Sequence, residues 1–145
     1  MTEITFHFNV PDKLAYACRL LRRVRGANMN AVVTGEPELL RRLDTELWTF
    51  SALEFIAHAQ VGAADAQVVA ASPVVLTEAP RSAQHQEVLV NLGGPVPEGF
   101  ERFERLNELV SQDEADRMQA RRRWKHYADR GYAIRKHEFG EREAR

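Results

Sequence analysis

The feature that most constrains the fold is an alternation of short strand-like runs with amphipathic segments. The run ITFHF at residues 4–8 predicts a first strand, because β-branched and aromatic residues alternate in it. The next segment has Asp12 at its start, Gly26 at its end and apolar residues three and four apart, which predicts a helix. Strands that alternate with helices are typical of parallel sheets. We therefore expect one α/β domain with an open, largely parallel sheet and helices on both faces.

The later segments continue this alternation. AVVTG predicts a short buried strand and EPELLRRLDTELW an amphipathic helix, and AQVVAA, PVVLT and EVLVNL predict three more strands. The segment FERFERLNELV has apolar residues at helical spacing and predicts a helix. A long helix then ends at Gly131, and YAIRKHEF predicts an edge strand. We expect a single domain over residues 1–140 and a frayed, charged tail at 141–145.

The start of the last long helix has its own signal. Ser111 and Glu114 have the spacing of a capping box, in which each side chain satisfies a backbone N–H of the other residue. Gly131 is placed to end this helix in a left-handed cap.

Several classes of function are disfavoured. The formal net charge of -1 argues against a protein that coats duplex DNA. The first strand-to-helix turn, HFNVPDK, has no glycine and contains Asp12, which disfavours a phosphate site. The five histidines lack metal-ligand spacing, and Cys18 lies among apolar residues as a core thiol would. We predict no cofactor, no metal and no catalytic residues, so an enzyme with an unrecognised pocket is the weakest of the alternatives.

Sequence features also bear on location. The single cysteine excludes an intrachain disulfide, and the first residues do not have the pattern of a signal peptide. No apolar run approaches the ~20 residues that a membrane helix needs. We therefore expect a cytoplasmic protein with no membrane association.

Positive charge is concentrated on the last helix. The segment DRMQARRRWKHYADRGY holds six of the chain's 20 Lys and Arg residues and one of its two tryptophans. At about 100° per residue, one side of this helix faces the sheet and three cations form a stripe beside that side. Arg122 and Arg123 are expected to face solvent, where Asp116 and Gln119 are candidate partners of Arg123. The predicted sheet-facing residues are Ala120, Trp124 and Tyr127, and the stripe is Arg117, Arg121 and Lys125.

Two interpretations of the stripe stay open. It is a solvated basic face with Trp124 in the core, or it borders a groove for an acidic peptide with a hydrophobic end, since Arg and Lys suit carboxylates. Single-stranded nucleic acid also suits cations beside an aromatic ring. The side-chain chemistry alone does not separate a peptide from a nucleotide.

Four segments in sequence order carry a family resemblance: FHFNVPDKLAYACRLLRR, LDTELWTFSALEFIAH, VLVNLG and LVSQDEADRMQARRRWKHYADRGYAI. Within them lie Leu-Asp-x-x-Leu-Trp at 43–48 and Ala-Arg-x-Arg-aromatic-Lys-x-Tyr at 120–127. In this order and in a chain of this length, they resemble the chi subunit of bacterial DNA polymerase III, a clamp-loader accessory protein. The similarity covers nearly the whole chain.

The resemblance implies a Rossmann-like fold without a nucleotide site and a function as a non-catalytic replication adaptor. Chi proteins bind the C-terminal tail of single-stranded-DNA-binding protein, which is acidic and ends in Pro-Phe, and they link that protein to the clamp loader. Any association with nucleic acid is then weak or indirect. Carried over by position, the tail-binding residues are Val110, Arg117, Arg121, Trp124, Lys125, Gly131 and Tyr132.

The resemblance also implies a second partner, the psi subunit or another clamp-loader component. Its surface is expected around Phe55, Ile56 and His58. The alternative to the adaptor is a protein that binds single-stranded nucleic acid directly, through Arg117, Arg121, Trp124 and Lys125.

Overall fold

The computed structural model describes residues 1–49, 56–62 and 64–140, and in this part of the chain seven strands form one all-parallel sheet. The strand order is β3-β4-β2-β5-β6-β1-β7. The strands are β1 (Glu3–Val10), β2 (Ala31–Thr34), β3 (His58–Gln60), β4 (Val74–Leu76), β5 (Val88–Asn91), β6 (Arg105–Ser111) and β7 (Ile134–Glu138), and the helices are α1 (Lys13–Gly26), α2 (Pro37–Thr49), α3 (Ala66–Ala71) and α4 (Glu114–Asp129).

Helices cover both faces of the sheet, as expected for an open parallel sheet. The apolar sides of α1 and α2 pack with Val33, Leu76 and Val90 in one core. The α4 side packs on Phe6 and Leu106 in a second core on the opposite face. The connections that run toward the β3 edge contain α1 and α2, and those that run toward the β7 edge contain α3 and α4. Right-handed crossovers put these two pairs of helices on opposite faces of the sheet. The predicted single α/β domain with a parallel sheet is confirmed.

The segment from Phe100 to Val110 was wrongly predicted as a helix. Phe100–Arg102 is a short 3-10 helix and Arg105–Ser111 is the interior strand β6. The apolar residues at helical spacing also fit a strand, since Leu106 and Val110 point to one core and Leu109 to the other. Polar residues within the segment made a strand hard to recognise. One of them is Glu108, which is fully buried and pairs with Arg123 of α4.

The segment AQVVAA was wrongly predicted as a strand, because it forms the helix α3. The Asp65 side chain accepts a hydrogen bond from the Gln67 N–H and caps this helix, a signal that outweighs the β-branched pair within it. The strand β3, just before it, was not predicted.

The expected buried thiol is confirmed. Cys18 has no exposed surface, and burial raises the pKa of its thiol to about 12. Such a thiol is a poor nucleophile because little thiolate forms at neutral pH. The predicted tail 141–145 lies outside the described residues.

Candidate functional site

The start of α4 is fixed by Asp113 and not by the predicted capping box. The Asp113 carboxylate accepts a hydrogen bond from the Asp116 N–H at 3.2 Å, which makes Asp113 the N-cap. Ser111, the predicted cap, instead donates from its backbone N–H and its hydroxyl to the Asp116 carboxylate, each at 2.8 Å. The capping-box prediction was therefore wrong about which residue caps the helix.

Asp116 also ties α4 to the opposite face of the sheet. Its carboxylate lies 2.7 Å from the Lys13 ammonium, which donates to the Leu92 carbonyl as well. Burial opposes ionisation of Asp116, but the hydrogen bonds and charge of Lys13 and the Ser111 donors lower the pKa of its carboxyl. The first turns of α1 and α4 are thereby held together at the carboxyl edge of the sheet.

Arg123 does not face solvent as predicted. It is 1% exposed, and its Nε donates to the Glu108 carboxylate of β6 at 2.9 Å. The Tyr127 hydroxyl donates to the other oxygen of Glu108 at 2.5 Å, and the Asn91 amide donates at 2.9 Å. Arg123 Nη1 reaches the Gly94 carbonyl at 2.7 Å. The helical spacing of α4 could not show this, since the counter-ion Glu108 comes from the strand β6.

This buried network fixes the rotation of α4. Burial raises the pKa of the Glu108 carboxyl, while the Arg123 charge and the three donors oppose that rise. Burial and the neighbouring Glu108 raise the pKa of the Tyr127 phenol. Because Arg123 and Tyr127 must both reach Glu108, the side of α4 that carries Arg117 and Arg121 is turned toward β7.

Trp124 lies on the border between the core and the surface, as predicted. Its half-buried ring is 5.0 Å from the Phe6 ring and 5.9 Å from the Phe8 ring, measured between centroids. Ala120 and Tyr127 are fully buried, which confirms the sheet-facing side, and the cations Arg117, Arg121 and Lys125 are exposed beside it.

A cavity of about 300 Å³ separates α4 from β7, and we call it the α4–β7 groove. The Arg117 and Arg121 side chains form one wall, and the Lys136 ammonium lies 5.7 Å from the centroid of the Phe8 ring. A bulge in β1 between His7 and Val10, with Asn9 at φ 62°, lies beside this cavity. The lining residues are Phe8, Asn9, Arg117, Arg121, Lys136 and Glu138.

Phe8 and Lys136 were not predicted to line this groove. Their own strands were predicted, and the alternation within each strand puts both on the α4 side. What the sequence does not reveal is that β7 pairs with β1, and this pairing alone brings Lys136 beside Phe8.

The other predicted tail-binding residues lie outside this groove. Lys125 is one turn beyond Arg121 and pairs with Asp129 at 3.0 Å on the surface. Val110 is fully buried under α4. Gly131 ends α4 with φ 82° in a left-handed cap, as predicted, and the half-buried Tyr132 ring packs 5.3 Å from Phe100, near the far end of the helix.

The predicted psi surface lies at the other edge of the sheet. Ile56 and His58 are buried, and the His58 ring lies 3.0 Å from Asp44 and 5.0 Å, between centroids, from Trp48. Phe55 lies outside the described residues. Among the described residues, Trp48, Val61 and Val68 adjoin β3 and are 59%, 49% and 52% exposed.

The crevice where doubly wound folds hold nucleotides has acidic walls here. It lies beyond the carboxyl ends of β2 and β5 and has a volume of about 860 Å³. Three carboxylates, Glu36, Glu78 and Glu98, line it and outnumber the cation Arg81. These carboxylates disfavour a phosphate. Over residues 1–49, 56–62 and 64–140, no three His, Cys, Asp or Glu side chains are grouped to hold a metal, and no helix is long and apolar enough to cross a membrane.

Comparison with known proteins gives a match over nearly the whole chain. The family model of the DNA polymerase III chi subunit (HolC) matches residues 1–135. DNA polymerase III subunit chi from Pseudomonas aeruginosa is 30% identical over 143 residues, which cover 94% of this chain and 96% of that protein. Since the match spans both edges of the sheet and nearly all of both chains, this chain belongs to the DNA polymerase III chi subunit family, whose role is that of an accessory protein in replication.

Proposed function

We propose that this chain is a non-catalytic replication adaptor that holds the acidic tail of single-stranded-DNA-binding protein and links it to the clamp loader. The observation that supports tail binding is the α4–β7 groove. It brings three cations, Arg117, Arg121 and Lys136, to the border of an aromatic surface made by Phe8 and Trp124.

The chemistry of the groove matches such a tail. The guanidinium groups of Arg117 and Arg121 offer forked donors to carboxylates, and the Lys136 ammonium adds a third positive charge. An apolar terminal side chain gains roughly 1.5–3 kcal/mol when it is fully buried, and the half-buried ring of Trp124 supplies a surface for it. A short acidic peptide with an apolar end uses both features together.

Substitution of single cations tests this site. Arg121→Ala and Arg117→Ala should each weaken binding of a fluorescent tail peptide about tenfold, since a hydrogen bond to a charged group contributes roughly 1.5–3 kcal/mol. Arg122→Ala is the matched control, because Arg122 is exposed on the same helix but does not line the groove. Fluorescence anisotropy gives the three dissociation constants. Equal affinities for all variants would place the site elsewhere.

Direct binding of single-stranded nucleic acid is the competing function, and salt distinguishes it. Binding to a phosphate backbone falls steeply with salt because each neutralised phosphate releases counter-ions. The tail meets few cations and buries an apolar end, so part of its affinity should persist at high salt. Removal of the terminal Phe should abolish most binding at every salt concentration. An oligonucleotide that binds more tightly than the full peptide would favour the competing function.

For the clamp-loader partner, we propose the β3 side of the domain. The exposed apolar side chains of Trp48, Val61 and Val68 adjoin β3, beside an apolar cavity of about 440 Å³ that Val61, Val69 and Val75 line. A psi subunit that covers this surface would bury them. Trp48→Ala should then reduce co-purification of clamp-loader proteins. Met118→Ala, which removes an exposed apolar side chain on α4, should not.

A further inference from the structure

The outer edge of β7 presents backbone groups in a regular pattern. β7 is the last strand of the sheet and pairs only with β1, in parallel register from Ile4↔Ile134 to Phe8↔Glu138. The Phe139 N–H donates to the Phe8 carbonyl at 2.9 Å. Because alternate residues of a parallel strand bond to the same neighbour, Arg135 and His137 also direct their N–H and C=O groups to β1. Ile134, Lys136 and Glu138 direct theirs outward.

These outward groups form a free template for another strand. In the described part of the chain, no hydrogen bond is made by the outward N–H or C=O groups of Ile134, Lys136 and Glu138. At about 3.3 Å per residue, the strand offers an edge roughly 13 Å long. An unpaired edge of this kind binds an extended chain through its main-chain groups.

Charge at this edge selects the kind of strand that can add. Lys136 and the neighbouring Arg117 and Arg121 lie on the α4 side of the sheet, and alternation puts Arg135 on the other side. A second copy of β7 that pairs with Lys136 opposite Lys136 would set these cations against its own, which disfavours self-pairing in that register. An acidic chain would meet a cation on each face.

We propose that the acidic tail binds by adding to the free edge of β7 as an eighth strand, so that main-chain hydrogen bonds to Lys136 and Glu138 accompany its contacts in the α4–β7 groove. This inference rests on the proposed function. It adds that the backbone of the tail is extended and hydrogen-bonded to β7, whereas recognition by side chains alone needs no particular backbone conformation.

Peptides with methylated backbone nitrogens test the pairing. Two tail peptides carry N-methyl groups at alternate acidic residues, one at odd and the other at even positions. The peptide whose methylated nitrogens would face β7 should bind at least tenfold more weakly than the unmodified peptide. The other methylated peptide should have a dissociation constant within about threefold of the unmodified one. Equal affinities of the two methylated peptides, whether both bind normally or both bind weakly, would contradict the added strand while leaving tail binding to the groove intact. Failure of the unmodified peptide to bind would instead overturn the proposed function.

Hydrogen exchange gives a second measurement on the protein itself. In the free protein the amides of Arg135 and His137 should exchange slowly and those of Lys136 and Glu138 rapidly. Tail peptide should slow exchange at Lys136 and Glu138, and Lys136→Pro should weaken binding more than Lys136→Ala, since Pro also removes the outward N–H. Unchanged exchange at both amides, or slow exchange caused by a dimer at rising protein concentration without peptide, would overturn the proposal.

Discussion

At the scale of single residues, the buried Glu108–Arg123 ion pair determines which side of α4 meets the groove. Both side chains are at most 1% exposed, and Glu108 also accepts from Tyr127 and Asn91. Arg123→Met should lower the free energy of unfolding by about 3–5 kcal/mol, because the carboxylate stays buried without its counter-ion. Adding Glu108→Gln, which removes that orphaned charge, should recover part of the loss. Urea unfolding of the variants measures both, and a double variant no more stable than Arg123→Met would contradict this account.

The buried ring of His7 makes the free energy of unfolding depend on pH. Its ring accepts from the Tyr16 hydroxyl at 2.6 Å and donates to the Asn107 side chain at 2.8 Å. Burial, with a smaller effect from His137 and Arg23, lowers the pKa of His7 from 6.5 to about 4 despite the Asn107 hydrogen bond. The unfolded chain therefore binds a proton more readily than the folded one between pH 6.5 and 4. The contribution of His7 to the free energy of unfolding is fully present above pH 6.5. It falls by roughly 3 kcal/mol in total as the pH is lowered through 4.

Two measurements check this pH dependence. The His7 ring resonances should titrate near pH 4 by NMR. The wild type should also lose stability more steeply than His7→Gln between pH 6.5 and 4 in urea unfolding. A His7 resonance that titrates at an ordinary value would contradict it.

At the scale of elements, the sequence predicted those whose signals are local. The start of α1 and the end of α4 follow from Asp12 and Gly131, whose roles depend on their immediate neighbours. The helix α1 ends at Gly26 as predicted, but the left-handed residue that follows it is Asn28, with φ 60°. β6 was mistaken for a helix because Glu108 in an interior strand is acceptable only with Arg123 beside it. Only one wall of the α4–β7 groove was predicted, because the other wall also depends on residues distant in sequence. Its α4 wall follows from helical spacing, but Lys136 and Phe8 join it only through the β1–β7 pairing.

The N-cap of α4 provides a prediction at this scale. Asp113→Ala should lower the free energy of unfolding by about 1 kcal/mol, since the Asp116 N–H loses its acceptor, and Asp113→Ser should lower it less because Ser also caps helices. Gln112→Ala is the control, as this exposed neighbour lies before the cap. If Asp113→Ala and Gln112→Ala are equally stable in urea unfolding, Asp113 is not the residue that caps the helix.

At the scale of the whole molecule, the sheet order separates the two proposed surfaces. The α4–β7 groove lies at one edge, and the exposed Trp48, Val61 and Val68 adjoin β3 at the other. Six strand spacings of about 4.8 Å put these edges roughly 29 Å apart. An adaptor needs this separation, because two partners bound at opposite edges do not compete for space.

The separation predicts that the two partners bind independently. Calorimetric titration of the tail peptide should give the same dissociation constant, within about twofold, for the free protein and for its complex with a clamp-loader partner, since distant sites without shared contacts rarely couple. Arg121→Ala should weaken only the peptide and Trp48→Ala only the partner. Mutual exclusion of the two ligands, or a loss of both in either variant, would show that they share one surface, and the adaptor would then have to hand one partner over before it takes the other.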